Sequence, residues 1–336
     1  MRLADFDYVL PEERIAQHPV EPRDSARLLV DQGSAAPLHR HVHDIGECLR
    51  DGDLLVVNDT KVIPARLRLH RETGGAVEVL LLEPLDGERR TWEAMVRGAK
   101  KMQPGEELLA GAVPLVRVLR RSEAGDTMII ELVGDGEPLA LLQAHGEMPL
   151  PPYISARLEH PDRYQTVYAN EPASSAAPTA GLHFTPELLA SLSCRGIETA
   201  RVELVVGLDT FKPVSAADPR DHQIHSERYR VPASTAAMCT AAKRVVAIGT
   251  TSVRALESAA TLGAPEGRTR LFIHRPYEWK TVDVLMTNFH LPRTTLLMMI
   301  DAFVGARWRT LYEEALREEY RFLSFGDAML LDRSMS

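Results

Sequence analysis

The stretch RVVAIGTTSVRALESAATLG, residues 244–263, sets the fold that this sequence predicts. Its run Arg244–Ile248 is short, apolar and rich in valine, which indicates a buried strand. The loop Gly249-Thr250-Thr251-Ser252 follows, and the residues after it repeat apolar side chains at helical spacing. A strand that leads through a short loop into a helix is the repeating unit of an α/β fold.

Strands and helices alternate in the same way elsewhere in the chain. The run Asp53–Val57, flanked by Gly52 and Asn58, predicts another buried strand. Further expected elements are a helix that begins at Thr185-Pro186-Glu187 and ends near Gly196, strands over Arg201–Val206 and Val284–Phe289, and a helix from Thr294 or Thr295. This alternation predicts a mainly parallel sheet flanked by helices, in which ligands bind beyond the carboxyl ends of the strands.

The segment from about Arg66 to Glu147 has a different pattern. The short runs RLRLH, AVEVLLLE, TWEAMV, PLVRVLR and TMIIELV alternate there with turn signals rich in glycine and aspartate. This cadence is typical of a small antiparallel β-barrel. We therefore predict an α/β fold in two domains: a discontinuous α/β domain at 1–65 and 150–336, and an inserted β-barrel domain at 66–149.

Composition narrows the class of protein. The chain has 336 residues, 45% of them hydrophobic and 26% charged, as in ordinary globular proteins, and its net charge of −8 argues against a surface coated in basic groups. Cys48, Cys194 and Cys239 are too dispersed to indicate a disulfide framework or a cysteine-rich metal site. The first residues lack a basic start and an apolar segment, and no apolar run nears the ~20 residues of a membrane helix, so we expect a cytoplasmic protein without a membrane segment.

Four loops after predicted strands carry the residues best suited to chemistry: Asn58–Lys61, Thr179–Phe184, Gly249–Arg254 and Asn288–His290. Because the carboxyl ends of parallel strands meet at one edge of a sheet, these loops are candidates for a single site.

His183 lies in the second of these loops, just before an expected helix. Gly181 in the same loop can adopt a positive φ. In an extended segment, alternation would turn His183 away from Leu182 and Phe184, towards a cleft or open water. The ring is therefore a candidate acid or base, and the alternative is a surface histidine between two core residues.

The other three loops offer anion binding, proton transfer and base recognition. The segment Gly249–Ser252 precedes a helix, whose free N–H groups favour an anion, although Thr251 or Ser252 could be only a helix cap. Asp59 and Lys61 could each serve as acid, base or anion partner, and an Asx turn is the alternative. Asn288 can recognise a nucleobase and His290 can move a proton, unless both simply cap the strand end.

Two groups of histidines and two basic clusters are further candidate sites. Two groups, His39 with His41 and His43, and His222 with His225 and Glu227, lack the spacing of a known metal motif, so we expect no metal; the second group could instead line a substrate cleft. The basic clusters in the predicted barrel are Arg97 with Lys100 and Lys101, and Arg117 with Arg120 and Arg121. Each could contact nucleic acid or be a solvated surface.

Ordered motifs along nearly the whole chain resemble the S-adenosylmethionine:tRNA ribosyltransferase-isomerase family of queuosine biosynthesis. They are FDYVLPEERIAQHPVEPRDSARLLV, GDLLVVNDTKVIPARL, MPLPPYI, YQTVYA, AAPTAGLHF, DHQIHSERY, VVAIGTTSVRALESA, DVLMTNFHLPRTTLLMMIDAFVG and YRFLSFGDAML. The chain departs from the family at Asp209, where a glycine is usual, and at Arg275-Pro276-Tyr277, where the family tends to have Pro-Gly-aromatic.

The resemblance implies transfer and isomerisation of the ribosyl moiety of S-adenosylmethionine onto 7-aminomethyl-7-deazaguanine at the tRNA wobble position. The product would be epoxyqueuosine-tRNA, with adenine and methionine released. S-adenosylmethionine is then a consumed co-substrate, no cofactor is expected, and the partner is tRNA bound by a monomer. The alternative is a non-catalytic tRNA-binding protein. A methyltransferase or radical enzyme is disfavoured, because the sequence has neither a G-x-G-x-x-G loop after the first strand nor a three-cysteine cluster.

With that resemblance, the candidate residues receive roles. His183 and Asp59 are the expected catalytic residues in proton transfer. The expected substrate-binding residues are Lys61, Thr179, Thr250, Thr251, Ser252, Arg254, Asn288, His290, His225 and Glu227, and the expected tRNA-binding residues are Arg97, Lys100 and Lys101. Thr250, Thr251 and Ser252 would hold the methionyl carboxylate or a tRNA phosphate with help from Arg254, and Asn288 and His290 would contact adenine or the deazaguanine.

Overall fold

The structure is a computed structural model that describes residues 1–335 except 99–101, 124, 126, 208–213, 215, 217, 223 and 225. Contacts between residues divide the chain into two compact units. The first unit contains Met1–Thr60, Pro151–Asn170 and Ala177–Ser336, and the second contains Lys61–Leu150 and Glu171–Ala176.

Strands in both units account for most of the regular structure. They are β1 Arg27–Val30, β2 Leu38–His41, β3 Asp53–Asn58, β4 Thr60–Val62, β5 Arg66–Arg71, β6 Ala76–Pro84, β7 Thr91–Val96, β8 Glu107–Ala110, β9 Val113–Arg121, β10 Met128–Leu132, β11 Gly146–Glu147, β12 Glu171–Ser174, β13 Glu198–Leu204, β14 Glu227–Arg230, β15 Arg244–Ile248, β16 Glu266–Thr269, β17 Val284–Asn288 and β18 Ala328–Asp332. The α-helices are α1 Ile45–Cys48, α2 Pro138–His145, α3 Pro186–Cys194, α4 Ala233–Ala241, α5 Thr250–Leu262, α6 Thr295–Val304 and α7 Trp308–Arg317.

The first unit is built on one mixed sheet with the strand order β16-β14-β13-β3-β15-β17-β18-β1-β2. Its four central strands, β13, β3, β15 and β17, are parallel to one another, and all six residues of β3 are buried. Strands that are covered on both faces are the expected consequence of helices on both sides of a parallel sheet. The predicted α/β sheet is therefore confirmed, with antiparallel strands added on both sides of its parallel centre.

The local signals for β15 and α5 were sufficient to place both elements. Strand β15 has the predicted bounds Arg244–Ile248, and α5 runs from Thr250 to Leu262. The predicted cap of α3 is also present, since Thr185 accepts a hydrogen bond from the backbone N–H of Leu188 at 3.1 Å. Strand β13, by contrast, begins at Glu198, before the predicted Arg201, and ends at Leu204.

The second unit contains a closed antiparallel barrel of the strands β5-β6-β7-β10-β9-β8, in which β8 pairs back with β5. Burial alternates along β7, where Trp92, Ala94 and Val96 face the interior. The predicted barrel is thus confirmed, but β8 was not foreseen, because its sequence ELLA contains no β-branched or aromatic residue.

One edge of the large sheet brings together the ends of several strands. The carboxyl end of β17 pairs antiparallel with β18, so that Asn288 lies opposite Ala328. The start of β18 therefore lies beside the carboxyl end of β17, and β15 is the next strand beyond β17. Ligands gather at this edge in sheets of this type. Among the described residues, none of the helices combines the length and the hydrophobicity needed to cross a lipid bilayer.

Candidate active site

A cavity of about 50 Å³ lies at this edge of the first unit. It is lined by the start of α5, the end of β17 and two loops, and the residues that matter here are Tyr153, Thr179, Gly249, Thr250, Thr251, Asn288, His290, Leu323 and Ser324. Its volume corresponds to a few water molecules, so a larger ligand must also occupy the open side of the cleft. The loops after β15 and β17 and the segment at Thr179 meet here, as the strand order requires.

The side chain of Asn288 is fixed at both of its polar ends. Its Oδ1 accepts a hydrogen bond from the hydroxyl of Thr179 at 2.9 Å, and its Nδ2 donates to the backbone carbonyl of Asp327 at 3.3 Å. Because an amide oxygen has two lone pairs and an amide nitrogen has two hydrogens, one acceptor position and one donor remain. Asn288 can therefore still form a paired donor and acceptor contact with a ligand.

His290 is neutral at physiological pH. Its Nε2 lies 3.0 Å from the hydroxyl of Thr287, and its backbone N–H donates to Tyr312. The side chain is buried, and this burial lowers the pKa of His290 to about 3. The ring can therefore accept or donate a hydrogen bond in the cleft without carrying charge.

The N-terminus of α5 lacks a side-chain cap within the described part of the chain. It begins after Gly249, whose φ of 86° is the left-handed conformation that favours glycine. Thr251 is only 8% exposed, and its buried hydroxyl Oγ1 has no hydrogen-bond partner among the described residues. An uncapped helix start beside an unpaired hydroxyl is suited to an anion. Ser252 does not offer its hydroxyl, which donates to the carbonyl of Ile248 at 2.8 Å.

His183 does not line this cavity but a smaller one of about 10 Å³, and its ring is buried, whereas one of the two expectations placed it in open water. The residues Thr179–His183 form a 3₁₀ helix and not an extended segment, so the alternation argument does not apply. The ring is 5% exposed, and its nitrogens lie 3.1 Å from the carbonyl of Ala180 and 2.8 Å from that of Gly326. Burial lowers the pKa of His183, and the two carbonyl contacts oppose that shift.

Gly181 is needed in this helix for close packing and not for a positive φ. A Cβ atom at this position would overlap the hydroxyl of Tyr168. That hydroxyl is itself buried without a hydrogen-bond partner in the described residues.

Asp59 and Lys61 do not line the cavity. Asp59 is buried, its Oδ2 lies 3.6 Å from Nη1 of Arg201, and burial raises the pKa of its carboxyl despite that arginine. Lys61 is exposed on β4 and belongs to the second unit. The roles predicted for both residues stay predictions.

A second cavity of about 40 Å³ contains Arg254, Glu227 and His222. Nη1 of Arg254 donates to Oε2 of Glu227, and Oε1 of Glu227 accepts from the backbone N–H of Gly207 at 3.3 Å. Both cavities share Leu296, so they are neighbours in the first unit. His225 and Asp209, named from the sequence, lie outside the described residues.

Sequence reasoning missed Tyr153, Ser324 and Leu323 in the first cavity. The hydroxyls of Tyr153 and Ser324 are 2.7 Å apart, and the backbone of Leu323 is left-handed with a φ of 69°. Such a conformation is uncommon for leucine and is often found at functional sites. No sequence signal predicts it, because leucine has no preference for this region.

The structure gives His39, His41 and His43 different surroundings. Strand β2 ends at His41, and the ring of His39 contacts Tyr320 and Glu314. His41, His43 and Asp44 lie within 4.8 Å of one another at the surface. Exposed groups of this kind are common without a metal, and the expectation of no metal stays a prediction.

The basic residues of the barrel differ in their surroundings. Arg97 is exposed after β7, whereas Arg117 forms ion pairs with Glu107 at 2.8 Å and Glu131 at 2.9 Å. Lys100 and Lys101 lie outside the described residues.

At the other departure from the family pattern, Arg275 forms two hydrogen bonds with the carboxylate of Asp301.

The fold and the cleft define an α/β protein with an inserted β-barrel and a polar, partly enclosed site at the carboxyl edge of its sheet. Known proteins with similar sequences show to which family of α/β proteins the chain belongs. The chain belongs to the queuosine biosynthesis protein family, whose model matches residues 3–331.

Relatives match over the whole chain. The S-adenosylmethionine:tRNA ribosyltransferase-isomerase of Symbiobacterium thermophilum is 51% identical over 98% of this chain and 100% of its own length. The protein of the same name from Moorella thermoacetica is 50% identical over 98% and 100%. The crystal structure of the S-adenosylmethionine tRNA ribosyltransferase from Thermotoga maritima is 38% identical, covers 97% of this chain and 99% of that chain, and has a TM-score of 0.55.

Proposed function

We infer that the protein is an enzyme of queuosine biosynthesis that transfers and isomerises the ribosyl moiety of S-adenosylmethionine onto 7-aminomethyl-7-deazaguanine at the wobble position of tRNA. Adenine and methionine are released, and epoxyqueuosine-tRNA is formed. The observation that carries this function is the end-to-end match at about half identity with relatives named for this activity. Membership of the family over residues 3–331 supports it independently.

The reaction makes three demands on the site. The sulfonium acidifies the hydrogens at C5′, so a base must remove one of them. Adenine must accept a proton or hydrogen bonds as it leaves, and the acceptor amine must lose its charge before it attacks. Methionine then leaves as the epoxide closes. S-adenosylmethionine is consumed, and we propose that no separate cofactor takes part.

Asn288 and His290 are proposed to contact the adenine or the deazaguanine in the first cavity. The donor and acceptor that remain on Asn288 match the paired edge of adenine, for which an asparagine amide is a common partner. Neutral His290 adds a hydrogen bond without a charge that would have to be desolvated.

The start of α5 is proposed to hold an anion, either the methionyl carboxylate or a tRNA phosphate. The N–H groups of the first turn and the hydroxyl of Thr251 are the groups suited to this role, and Ser252 contributes through its backbone only. Thr179 is proposed to act by orienting Asn288.

The proton-transfer roles of Asp59 and His183 stay proposals. Burial raises the pKa of Asp59, which makes its carboxyl a better proton acceptor than an exposed one. The contacts of His183 support a positioning role, in which the one N–H of the neutral ring donates to the carbonyl of Ala180 or to that of Gly326.

The partner of the enzyme is tRNA, and Arg97, Lys100 and Lys101 are proposed to contact its phosphates. Since the target base is stacked in the anticodon loop, it must be turned outward to react. We propose a monomer as the active form and, because the substrate is tRNA, the cytoplasm as its compartment.

The test is an incubation of the purified protein with S-adenosylmethionine and tRNA that carries 7-aminomethyl-7-deazaguanine. We expect one adenine and one methionine for each modified nucleoside, as measured by chromatography and mass spectrometry. The same tRNA with guanine at the wobble position is the matched control and should release none. Absence of tRNA-dependent adenine release would overturn the function, and tRNA binding without turnover would favour the non-catalytic alternative.

A further inference from the structure

Only part of the guanidinium of Arg254 is paired. Its Nη1 donates to Glu227, whereas Nε and Nη2 are buried and have no hydrogen-bond partner in the part of the chain that the structure describes. The side chain is 12% exposed, so water does not replace the missing partners freely. Buried donors are rarely left without partners, and such a group calls for an explanation.

The two unpaired nitrogens form the edge of the guanidinium that binds carboxylates through two parallel hydrogen bonds. Arg254 and Glu227 both line the second cavity, whose volume of about 40 Å³ is suited to a group of a few atoms. Its other walls include the apolar side chains of Leu271, Ile273 and Met299. A buried carboxylate binds well in such surroundings only if a cation meets it directly.

The second cavity is also close to the first. Arg254 follows Thr250 by four residues on α5, which places both on the same face of the helix, and Leu296 borders both cavities. A ligand with a nucleoside at one end and a small charged group at the other can therefore reach both.

We propose that the second cavity binds the α-amino-acid end of S-adenosylmethionine, a proposal that rests on the function inferred above. Nε and Nη2 of Arg254 hold the carboxylate, and the carboxylate of Glu227 accepts the α-ammonium group. The bound zwitterion adds no net charge to the buried pair of Arg254 and Glu227, and each charge faces one of opposite sign. The nucleoside then lies in the first cavity, and the start of α5 is left for a tRNA phosphate.

The test compares ligands that differ in one group. Equilibrium binding is measured by calorimetry for S-adenosylmethionine, for its decarboxylated analogue and for 5′-methylthioadenosine, which lacks the amino-acid end. We expect the protein to bind S-adenosylmethionine at least about tenfold more tightly than the decarboxylated analogue, since a bidentate charged contact is lost.

Arg254→Gln should bind S-adenosylmethionine and the decarboxylated analogue about equally, with affinity for 5′-methylthioadenosine unchanged. Arg254→Lys keeps the positive charge but cannot form two parallel hydrogen bonds with a carboxylate. Its preference for S-adenosylmethionine over the decarboxylated analogue should therefore be intermediate. Arg230→Gln removes an exposed arginine from the same strand as Glu227 and should leave the preference unchanged.

Three outcomes would overturn the proposal. They are no S-adenosylmethionine binding by the unaltered protein, an unchanged preference in both Arg254 variants, and an equal loss of 5′-methylthioadenosine affinity, which would show a merely structural role. Failure of the proposed function can be told apart from failure of this binding proposal. In that case adenine release would be absent, while the protein would still bind S-adenosylmethionine more tightly than the decarboxylated analogue. Thermal unfolding of each variant reports whether it folds.

Discussion

The hydroxyl of Thr179 donates a hydrogen bond to the amide oxygen of Asn288 at 2.9 Å, across 109 residues of sequence. Since the carbonyl of Asp327 can only accept, the nitrogen of the same amide must face Asp327. The orientation of Asn288 is therefore determined by its two neighbours before any ligand arrives. A preorganised amide of this kind needs no reorientation on binding.

Thr179→Val should reduce kcat/KM about tenfold, the effect of losing one hydrogen bond of about 1.4 kcal/mol. The valine keeps the shape of the side chain, but the Asn288 amide can then turn. Steady-state adenine release measures the effect, and Thr199→Val, at an exposed position of β13, is the control. Unchanged kcat/KM in Thr179→Val would show that the orientation of Asn288 does not matter.

His183→Ala should lower the free energy of unfolding by about 2 to 4 kcal/mol, because it removes the one N–H of the neutral ring from a buried carbonyl and leaves a cavity in place of the ring. His183→Gln, whose amide NH2 can donate to the carbonyl of Gly326 in place of Nε2, should recover part of that stability and part of the turnover. Urea unfolding and adenine release measure the two effects. If His183→Gln is stable yet loses turnover at least about 100-fold, proton transfer by His183 is supported instead.

Thr251→Val should leave the free energy of unfolding unchanged or raise it by about 1 kcal/mol, because a buried hydroxyl without a partner becomes a methyl group. Its kcat/KM should nevertheless fall about tenfold if the hydroxyl donates to the bound anion. Thr240→Val, an exposed threonine of α4 whose hydroxyl donates to the carbonyl of Ala236, is the comparison. Unchanged kcat/KM would remove Thr251 from the anion site.

The stability of the protein should fall as the pH is lowered from about 6.5 towards 3, in part because of His290. An exposed imidazole has a pKa of about 6.5, whereas that of His290 is about 3. The unfolded chain therefore binds a proton in this window that the folded protein does not, which favours unfolding. His290→Gln should reduce the slope of the unfolding free energy by up to about 1.4 kcal/mol per pH unit.

The difference in pH slope of the unfolding free energy between the unaltered protein and His290→Gln reports the contribution of His290 alone. The pKa of Asp59 is raised, so its contribution has the opposite sign, and it is the same in both proteins. His160→Gln, at an exposed position, is the control. An equal pH slope in the protein and His290→Gln would show that this imidazole is not kept neutral by burial.

Arg97→Gln should weaken tRNA binding and reduce the slope of log affinity against log salt by about one phosphate contact. Arg117→Gln should have a smaller effect, since Arg117 is already paired with Glu107 and Glu131. Binding of the tRNA substrate at several salt concentrations measures both. Equal effects from the two variants would contradict a specific contact by Arg97.

Local patterns predicted the parts of the fold that local interactions determine. The valine-rich strand β15, the helix α5 and the threonine cap of α3 follow from neighbours in sequence. The short strand β8 was missed because its pairing with β5 and β9, rather than the propensity of its residues, makes it a strand.

The candidate site was less accessible to such reasoning. That Asn288 and Thr250 line one cavity follows from strand ends in a parallel sheet, and the sequence indicated it. The burial of His183 depends on the carbonyl of Gly326, 143 residues away, and the pairing of Arg254 with Glu227 depends on the position of β14. No short-range pattern contains that information, which arises only when distant segments pack.

Strand β18 lies between β17 and β1, although its residues are synthesised about 300 residues after β1. The segment before it supplies the carbonyls of Gly326 and Asp327 that hold His183 and Asn288. A chain that ended before Gly326 would therefore lack the strand that joins the two sides of the sheet and one of the two contacts that orient Asn288.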